Sequence, residues 1–146
     1  MGSQLRRILL AEDNPRDVEL TLEALAQHNL ANEVVIAEDG VDALDYLFRR
    51  GRYANRDHLQ PAVLLLDIKM PRMNGIEVLR AVRESEELHG IPVVMLTSSR
   101  EERDIVESYN LGINAYVVKP VNFSEFIEAV KTLGLFWAVI NEPWPK

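Results

Sequence analysis

The stretch AVLLLDIKMPRMNG, residues 62–75, decides the fold of this chain. It contains an uninterrupted apolar run, Val63 to Leu66, that ends on the acidic residue Asp67. Continuous apolar runs of this length are typical of parallel strands that are covered on both faces. We therefore predict a central buried strand here, with a carboxylate at its carboxyl end.

Four more apolar runs occur along the chain, and amphipathic stretches separate them. Strict alternation of strands and helices predicts right-handed crossovers and a doubly wound α/β fold with a parallel sheet. The predicted strands are Ile8 to Ala11, Val34 to Ala37, Val63 to Leu66, Val93 to Leu96 and Ala115 to Val118. Apolar residues at helical spacing are Val18, Leu22 and Leu25; Val41, Leu44 and Leu47; Ile76, Leu79 and Val82; Ile105, Val106 and Tyr109 in the stretch from Glu101 to Leu111; and Phe123, Phe126, Ile127 and Val130.

Residues at the element boundaries support this division. Asn14 followed by Pro15 is typical of a helix N-cap with proline at the first helical position. The first helix is therefore expected to start directly after Glu12 and Asp13. Gly112 is predicted to cap the carboxyl end of the helix before it.

The composition predicts one small domain. The chain has 146 residues, of which 47% are hydrophobic, and a formal net charge of -7. Because it has no cysteine, disulfides and thiolate metal sites are excluded. The three histidines, His28, His58 and His89, are too scattered to predict a zinc site.

The sequence also predicts a cytoplasmic protein with no membrane partner. No stretch reaches the roughly 20 apolar residues of a membrane span, and the start MGSQLRR lacks the apolar core of a signal peptide. The negative net charge disfavours direct binding to nucleic acid. We interpret the arginine cluster Arg49, Arg50, Arg52 and Arg56 as a solvated loop or a kinase-docking edge.

Polar side chains stand at the carboxyl ends of four predicted strands. They are Glu12 and Asp13 after the first strand, Asp67 after the third, Thr97 after the fourth and Lys119 after the fifth. Carboxyl ends of parallel strands meet at one edge of the sheet, where open α/β sheets bind ligands. We therefore expect these five side chains to lie close together.

These residue types suit a magnesium ion and a phosphoryl group. Magnesium prefers oxygen ligands in near-octahedral geometry, and we predict Asp13 and Asp67 as direct ligands and Glu12 as a ligand through water. A carboxylate beside a cation can attack phosphorus, which makes Asp67 the predicted phosphoacceptor. Lys119 and Thr97 are predicted to contact the phosphoryl oxygens.

Four segments together carry a family resemblance: LLAEDNP (9–15), LLLDIKMPRMNGIEVLR (64–80), VVMLTS (93–98) and AYVVKP (115–120). They resemble the receiver domain of bacterial two-component response regulators, over a match from about Arg7 to Leu133. The resemblance implies a flavodoxin-like sheet of five parallel strands in the order 2-1-3-4-5, with helices on both faces. It also implies a receiver domain over residues 5–133, followed by an apolar extension, residues 134–146, and no separate output domain.

The resemblance further implies a function for each member of the strand-end group. A phosphohistidine on a sensor histidine kinase would donate its phosphoryl group to Asp67, with Mg²⁺ or Mn²⁺ as the cofactor. The chain would catalyse its own phosphorylation and dephosphorylation and would not be an independent enzyme. The implied roles are metal binding by Glu12, Asp13, Asp67 and the backbone carbonyl of Lys69, phosphoryl contacts by Thr97 and Lys119, an aromatic switch at Tyr116, and a cis peptide bond between Lys119 and Pro120.

The implied output is a two-state switch. Thr97 would move to the phosphoryl group, the ring of Tyr116 would rotate into the vacated space, and the face made by the fourth helix, fifth strand and fifth helix would change shape. Position 69 carries lysine where many relatives have a smaller or neutral residue. We hypothesise that Lys69, together with Ser99, lengthens the lifetime of the aspartyl phosphate.

The segment after the receiver contains a dense apolar group, Leu135, Phe136, Trp137, Val139 and Ile140. This segment and the stretch RRGRYANRDHLQP (49–61) resemble single-domain regulators paired with bacterial phytochromes. The resemblance implies a phytochrome as a candidate kinase, and a homodimer formed through the switch face and the extension. The alternative is an extension that folds back on its own core.

Three other functional classes fit the sequence less well. A haloacid dehalogenase-type phosphatase would have a second acid two residues after the nucleophile, where this chain has Lys69. A nucleotide- or flavin-binding domain would have a glycine-rich phosphate loop, and neither such motif occurs. A phosphorylation-independent receiver-like interaction module stays as the alternative, because an intact site does not prove its use.

Overall fold

The computed structural model describes residues 7–26, 33–113 and 115–134. Strands and helices alternate along these residues as predicted. None of the described helices is long and apolar enough to cross a bilayer. The strands are β1 (Ile8–Ala11), β2 (Val34–Ala37), β3 (Val63–Asp67), β4 (Val93–Thr97) and β5 (Tyr116–Val118), and the helices are α1 (Pro15–Ala26), α2 (Gly40–Phe48), α3 (Gly75–Glu84), α4 (Arg100–Ser108) and α5 (Phe123–Thr132).

The five strands form one parallel sheet in the order β2-β1-β3-β4-β5. The doubly wound fold predicted from the alternation, and the strand order implied by the resemblance, are both confirmed. The register aligns Asp67 of β3 with Leu96 of β4, and Thr97 of β4 with Val118 of β5. The polar strand ends therefore lie at nearly the same height along one edge of the sheet.

Each face of the sheet is covered by helices. Alternate strand residues point to opposite faces, so Leu9, Leu64 and Leu66 pack in one core, whereas Leu10 and Leu65 pack in the other. Helices α2, α3 and α4 contribute to the first core, and α1 and α5 contribute to the second. Because both faces are covered, the strands are apolar at almost every position, which is the pattern that identified them.

Side-chain caps start the helices close to the strand ends. The amide oxygen of Asn14 accepts hydrogen bonds from the backbone N–H groups of Arg16 (2.9 Å) and Asp17 (3.1 Å), which confirms the predicted cap of α1. The other described helices are capped in the same way by Asp39, Asn74, Ser99 and Asn122. Each cap fixes the residue at which the chain turns from the carboxyl edge of the sheet into a helix.

Helix α4 differs from the sequence prediction at its carboxyl end. It ends at Ser108, and Asn110 takes the left-handed conformation (φ 53°) in the turn that follows. Asparagine tolerates this conformation better than most residues do. Gly112 therefore lies beyond the turn and does not cap the helix.

Three apolar residues that were assigned to helices from their spacing are exposed. The exposed fraction is 36% for Leu22, 52% for Ile105 and 48% for Tyr109. In α4 the helix rotation directs Val106 into the core. The spacing of apolar residues identifies one face of a helix. The rotation of the helix against the sheet then decides which residues of that face are buried.

The stretch before β3 is anchored by a buried arginine at the start of β1. Arg7 is 6% exposed, and its guanidinium donates two hydrogen bonds to Asp57 (2.9 and 3.0 Å) and one to the hydroxyl of Tyr46 (3.0 Å). The hydrogen bonds from Arg7 lower the pKa of Asp57 to about 2. Arg7 thus ties this long connection to the sheet.

The predicted arginine cluster is paired within the chain. The guanidinium of Arg56 lies 4.0 Å from the ring centroid of Tyr46 and is largely buried, so the prediction of a solvated loop is wrong for this residue. The other three arginines pair with acids: Arg49 with Glu87, Arg50 with Asp45 and Arg52 with Asp42. The positive charges of the cluster are therefore engaged by partners within the same domain.

Candidate metal and phosphoryl-acceptor site

Three carboxylates meet at the carboxyl edge of the sheet. One ligand oxygen from each of Glu12, Asp13 and Asp67 lies within 4.8 Å of the others. Glu12 and Asp67 are buried, with exposed fractions of 2% and 3%, whereas Asp13 is exposed. The structure thus brings the predicted metal group together, with its open side at Asp13.

The end of β1 explains the different exposure of the two neighbouring acids. The backbone N–H of Glu12 donates to the carbonyl of Ala37 (3.0 Å), which continues the pairing with β2 by one residue. Its side chain turns back and accepts a hydrogen bond from the N–H of Asn14 (3.2 Å). Because Asn14 caps α1, the chain leaves the sheet at Asp13, whose side chain therefore remains in solvent.

Lys119 points into this group from the end of β5. Its ammonium lies 3.0 Å from Asp67 Oδ1, 3.4 Å from Glu12 Oε1 and 3.3 Å from Asp17 Oδ2. The peptide bond between Lys119 and Pro120 is cis. The sequence interpretation missed Asp17, although its position in the first turn of α1, four residues after Asp13, was an available signal.

The electrostatics of the site leave an excess of negative charge. Burial and the charge of Asp67 raise the pKa of Glu12 to about 7. Burial also raises the pKa of Asp67, which the hydrogen bond and charge of Lys119 oppose. Although burial lowers it, the pKa of Lys119 is raised overall by its contacts with Asp67 and Glu12. One ammonium thus faces several carboxylates, and an all-oxygen donor set of this kind fits a hard divalent cation such as Mg²⁺ or Mn²⁺.

The loop between β3 and α3 makes a tight turn. The N–H of Gly75 donates to the carbonyl of Ile68 (2.8 Å), and a Cβ atom at Gly75 would overlap the carbonyl oxygen of Asp67. On the outer side, Arg72 has a positive φ of 64° and donates two hydrogen bonds to Asp39 (2.7 and 3.0 Å). The backbone of this loop, which includes the predicted metal ligand at Lys69, is therefore fixed from both ends.

A groove of about 440 Å³ opens beside the carboxylates. It borders the exposed acid Asp13 and the loop that follows Asp67. The residues that line it are Asp13, Ile68, Lys69, Met70, Pro71 and Asn74.

Thr97 and Tyr116 lie on β4 and β5, on the opposite side of β3 from β1. Thr97 is completely buried, and its hydroxyl oxygen has no hydrogen-bond partner among the described residues. The hydroxyl of Tyr116 is also buried and lacks a partner within that same part of the chain. The guanidinium of Arg103 covers the Tyr116 ring at 4.5 Å from its centroid. An unpaired buried hydroxyl is costly, which is consistent with a group that acquires its partner in another state.

Lys69 and Ser99 both contact Glu102, and their hypothesised effect on the lifetime of the aspartyl phosphate stays a prediction. The hydroxyl of Ser99 caps α4 by accepting from the N–H of Glu102 (3.2 Å). The ammonium of Lys69 lies 3.5 Å from Glu102 Oε2. Glu102 was missed, although serine followed three residues later by glutamate is a known signal of a helix start.

The matching family model is the response regulator receiver domain, which covers residues 8–131. Response regulator Rcp1 of Synechocystis sp. is 36% identical over 130 residues, which are 89% of this chain and 87% of Rcp1.

Solved structures with similar folds include regulators of phytochrome systems. The bacteriophytochrome response regulator AtBRR has 61% sequence identity and a TM-score of 0.91, over 96% of this chain and 100% of AtBRR. The phosphorylated cyanobacterial phytochrome response regulator RcpA has 40% identity and a TM-score of 0.73, over 92% of this chain and 94% of RcpA. The Mn²⁺-bound form of Rcp1 has 34% identity in the structural alignment and a TM-score of 0.72, over 97% of this chain and 99% of that chain.

Proposed function

This chain belongs to the response regulator receiver domain family, and on that premise we propose that it accepts a phosphoryl group on Asp67 from the phosphohistidine of a sensor histidine kinase. The observation that carries the proposal is the contact of Asp67 with Lys119, 3.0 Å apart, inside the cluster of carboxylates. A buried acid at a strand end, paired with an ammonium and beside a groove, suits a nucleophile.

The transfer needs little beyond positioning and charge neutralisation. A carboxylate oxygen of Asp67 forms a bond to phosphorus, the bond from phosphorus to the histidine nitrogen breaks, and its electron pair returns to the imidazole. Lys119 is already beside the acceptor and would stabilise the charge on the phosphoryl oxygens. The chain would thus catalyse the phosphorylation and the dephosphorylation of its own Asp67. It would not turn over a separate substrate.

A divalent cation would be held by Asp13 and Asp67, with Glu12 acting through water and the carbonyl of Lys69 as a further ligand. Three carboxylate oxygens within 4.8 Å support this proposal. The Mn²⁺-bound structure of Rcp1 supports it from a relative. When bound, the cation supplies positive charge that neutralises the carboxylates and the phosphoryl oxygens.

The proposed switch runs from Thr97 to Tyr116. The unpaired hydroxyl of Thr97 would gain a phosphoryl oxygen as its acceptor, and this new contact would favour the active conformation. The ring of Tyr116 would then rotate and change the face formed by α4, β5 and α5. The phosphorylated structure of RcpA supports the use of such a site in a relative.

The switch face also carries features of a symmetric interface. A groove of about 590 Å³ between α4 and α5 has Arg100 and Arg103 on one wall and Glu125 and Glu128 on the other. A second copy related by a two-fold axis would bring the basic wall of one subunit against the acidic wall of the other. We propose a homodimer through this face and the extension. Residues 135–146 of the extension lie outside the described residues.

The similarity to AtBRR and RcpA supports a phytochrome as the partner kinase. A cytoplasmic location and the absence of direct nucleic-acid binding stay predictions from the sequence.

Phosphorylation by a small donor tests the central proposal. Incubation with acetyl phosphate and Mg²⁺ should add one phosphoryl group to the intact mass of the wild type, and chelation of Mg²⁺ should abolish the addition. Asp67→Asn should stay unlabelled because it lacks the nucleophile, whereas Asp104→Asn, an exposed position on α4, should be labelled like the wild type. An unlabelled wild type would overturn the proposal and favour the phosphorylation-independent module; equal labelling of Asp67→Asn would remove Asp67 as the acceptor.

A further inference from the structure

A single carboxylate links the two loops that flank the acceptor. Glu102 Oε1 accepts a hydrogen bond from the backbone N–H of Ser98 (2.6 Å), and Glu102 Oε2 lies 3.5 Å from the ammonium of Lys69. Ser98 directly follows the end of β4, and Lys69 lies two residues after Asp67 at the end of β3. Since these strand ends are paired in register, both donors lie at the edge of the sheet that carries the acceptor.

Glu102 is buried although the residues around it on α4 are exposed. It is 9% exposed, whereas Arg100, Glu101 and Arg103 all lie in solvent. A carboxylate is buried only where hydrogen bonds or charges replace its water. Here the replacements are the N–H of Ser98 and the ammonium of Lys69.

These two donors form an arrangement that suits an anion. A backbone N–H and an ammonium are the groups that proteins use for carboxylates and phosphates alike. A phosphoryl group on Asp67 would place a second anion, with up to two negative charges, at the same edge of the sheet. The phosphoryl group and the Glu102 carboxylate would then have the same donors within reach.

We propose that Glu102 is a positioning residue that competes with the phosphoryl group on Asp67 for the N–H of Ser98 and the ammonium of Lys69. This inference rests on the proposed function. While Glu102 holds the ammonium, Lys69 stays out in solvent, where its side chain is 83% exposed. Water then has an open path to phosphorus.

The competition controls hydrolysis of the aspartyl phosphate. In hydrolysis a water oxygen forms a bond to phosphorus, the bond from phosphorus to the Asp67 oxygen breaks, and its electron pair restores the carboxylate. The proton released by the water passes to solvent or to inorganic phosphate. If Lys69 is released by Glu102, its ammonium and its methylene chain settle against the phosphoryl group and obstruct this water.

Neutralising Glu102 tests the inference. Glu102→Gln keeps an oxygen that accepts from Ser98 but loses the charge that attracts Lys69. After labelling with acetyl phosphate and Mg²⁺ and removal of the donor, the variant should lose its phosphoryl group about two- to fivefold more slowly than the wild type, the range expected for an ion pair whose lysine is exposed. Glu101→Gln, one residue away and exposed, is the matched control and should hydrolyse at the wild-type rate.

A second substitution separates positioning from a structural effect. In a Lys69→Met background the Glu102→Gln change should no longer slow hydrolysis, because the competing ammonium is absent. The same slowing in that background, or an unchanged or faster rate in the single variant, would overturn the inference. Thermal unfolding of each variant verifies that the compared proteins are folded.

The outcomes distinguish this inference from the proposed function. A wild type that takes up phosphate, together with a Glu102→Gln variant of unchanged lifetime, overturns only the role of Glu102. A wild type that takes up no phosphate overturns the proposed function and this inference with it.

Discussion

At the scale of single residues, the hydroxyl of Thr97 lowers the stability of the fold and is also predicted to contact the phosphoryl group. It is buried at the end of β4 without a partner among the described residues. Leaving such a group unpaired costs about 1–3 kcal/mol relative to an apolar group of the same shape. The resting protein is therefore less stable at this position than it would be with valine.

We predict that Thr97→Val raises the free energy of unfolding by about 1 kcal/mol, because it removes the unpaired hydroxyl. The same change should weaken the conformational response to phosphorylation, because the predicted phosphoryl contact is lost. Urea denaturation measures the first effect, and the change in tyrosine fluorescence on labelling with acetyl phosphate measures the second. Thr97→Ser, which keeps the hydroxyl, should retain the response; a Thr97→Val variant that is less stable than the wild type would contradict the prediction.

At the scale of elements, the helices differ in how firmly they are packed. Helix α5 buries Phe126, Ile127, Ala129 and Val130, whereas α4 buries only Glu102 and Val106. Elements with little buried apolar surface move at low free-energy cost. The proposed role of α4 in the switch therefore agrees with its weak anchoring.

The loop between β3 and α3 is the opposite case, because it has no room to move. We predict that Gly75→Ala destabilises the protein by about 2 kcal/mol, since the added methyl group overlaps the carbonyl of Asp67. It should also weaken Mg²⁺ binding, measured by isothermal titration calorimetry, because the displaced segment carries Asp67 and Lys69. Gly90→Ala is the matched control, because a Cβ atom there meets nothing within 4 Å, and it should change stability by less than about 0.5 kcal/mol. Wild-type stability of Gly75→Ala would contradict this account of the loop.

At the scale of the whole molecule, the proposed acceptor site and the proposed interface lie on neighbouring parts of one sheet. Thr97 belongs to the end of β4 and also lines the groove between α4 and α5. Exposed apolar surface is added by Ile105 on α4, by Tyr109 directly after α4 and by Val118 on β5. A change at the acceptor would thus reach a surface that has both the charge and the apolar character for self-association.

We predict that deletion of residues 134–146 converts a dimer into a monomer, because it removes the apolar extension that supports the interface. Light scattering after size-exclusion chromatography measures the mass. Glu128→Lys should weaken the dimer of the chain that retains the extension, because it places like charges across the two-fold axis. An unchanged mass in the deleted chain would favour an extension that folds back on its own core.

Much of the fold and of the candidate site was predictable from the sequence alone. Strands that are covered on both faces must be apolar at successive positions, and this requirement is local, so the runs identified β1 to β5. Parallel strands bring their carboxyl ends to one edge, so the acids, threonine and lysine that end four runs had to lie near one another. The residue types at these strand ends predicted a site for a metal ion and a phosphoryl group, and the resemblance to receiver domains implied the role of each residue.

Only the tertiary structure decided the contacts between side chains that are distant in sequence. Asp17 joins Lys119, Glu102 reaches Ser98 and Lys69, and Arg7 anchors the stretch before β3. The exposure of Leu22, Ile105 and Tyr109 was equally inaccessible to the periodicity. The physical reason is that local patterns specify which element a residue belongs to, whereas helix rotation, loop path and side-chain conformation depend on the packing of the whole domain.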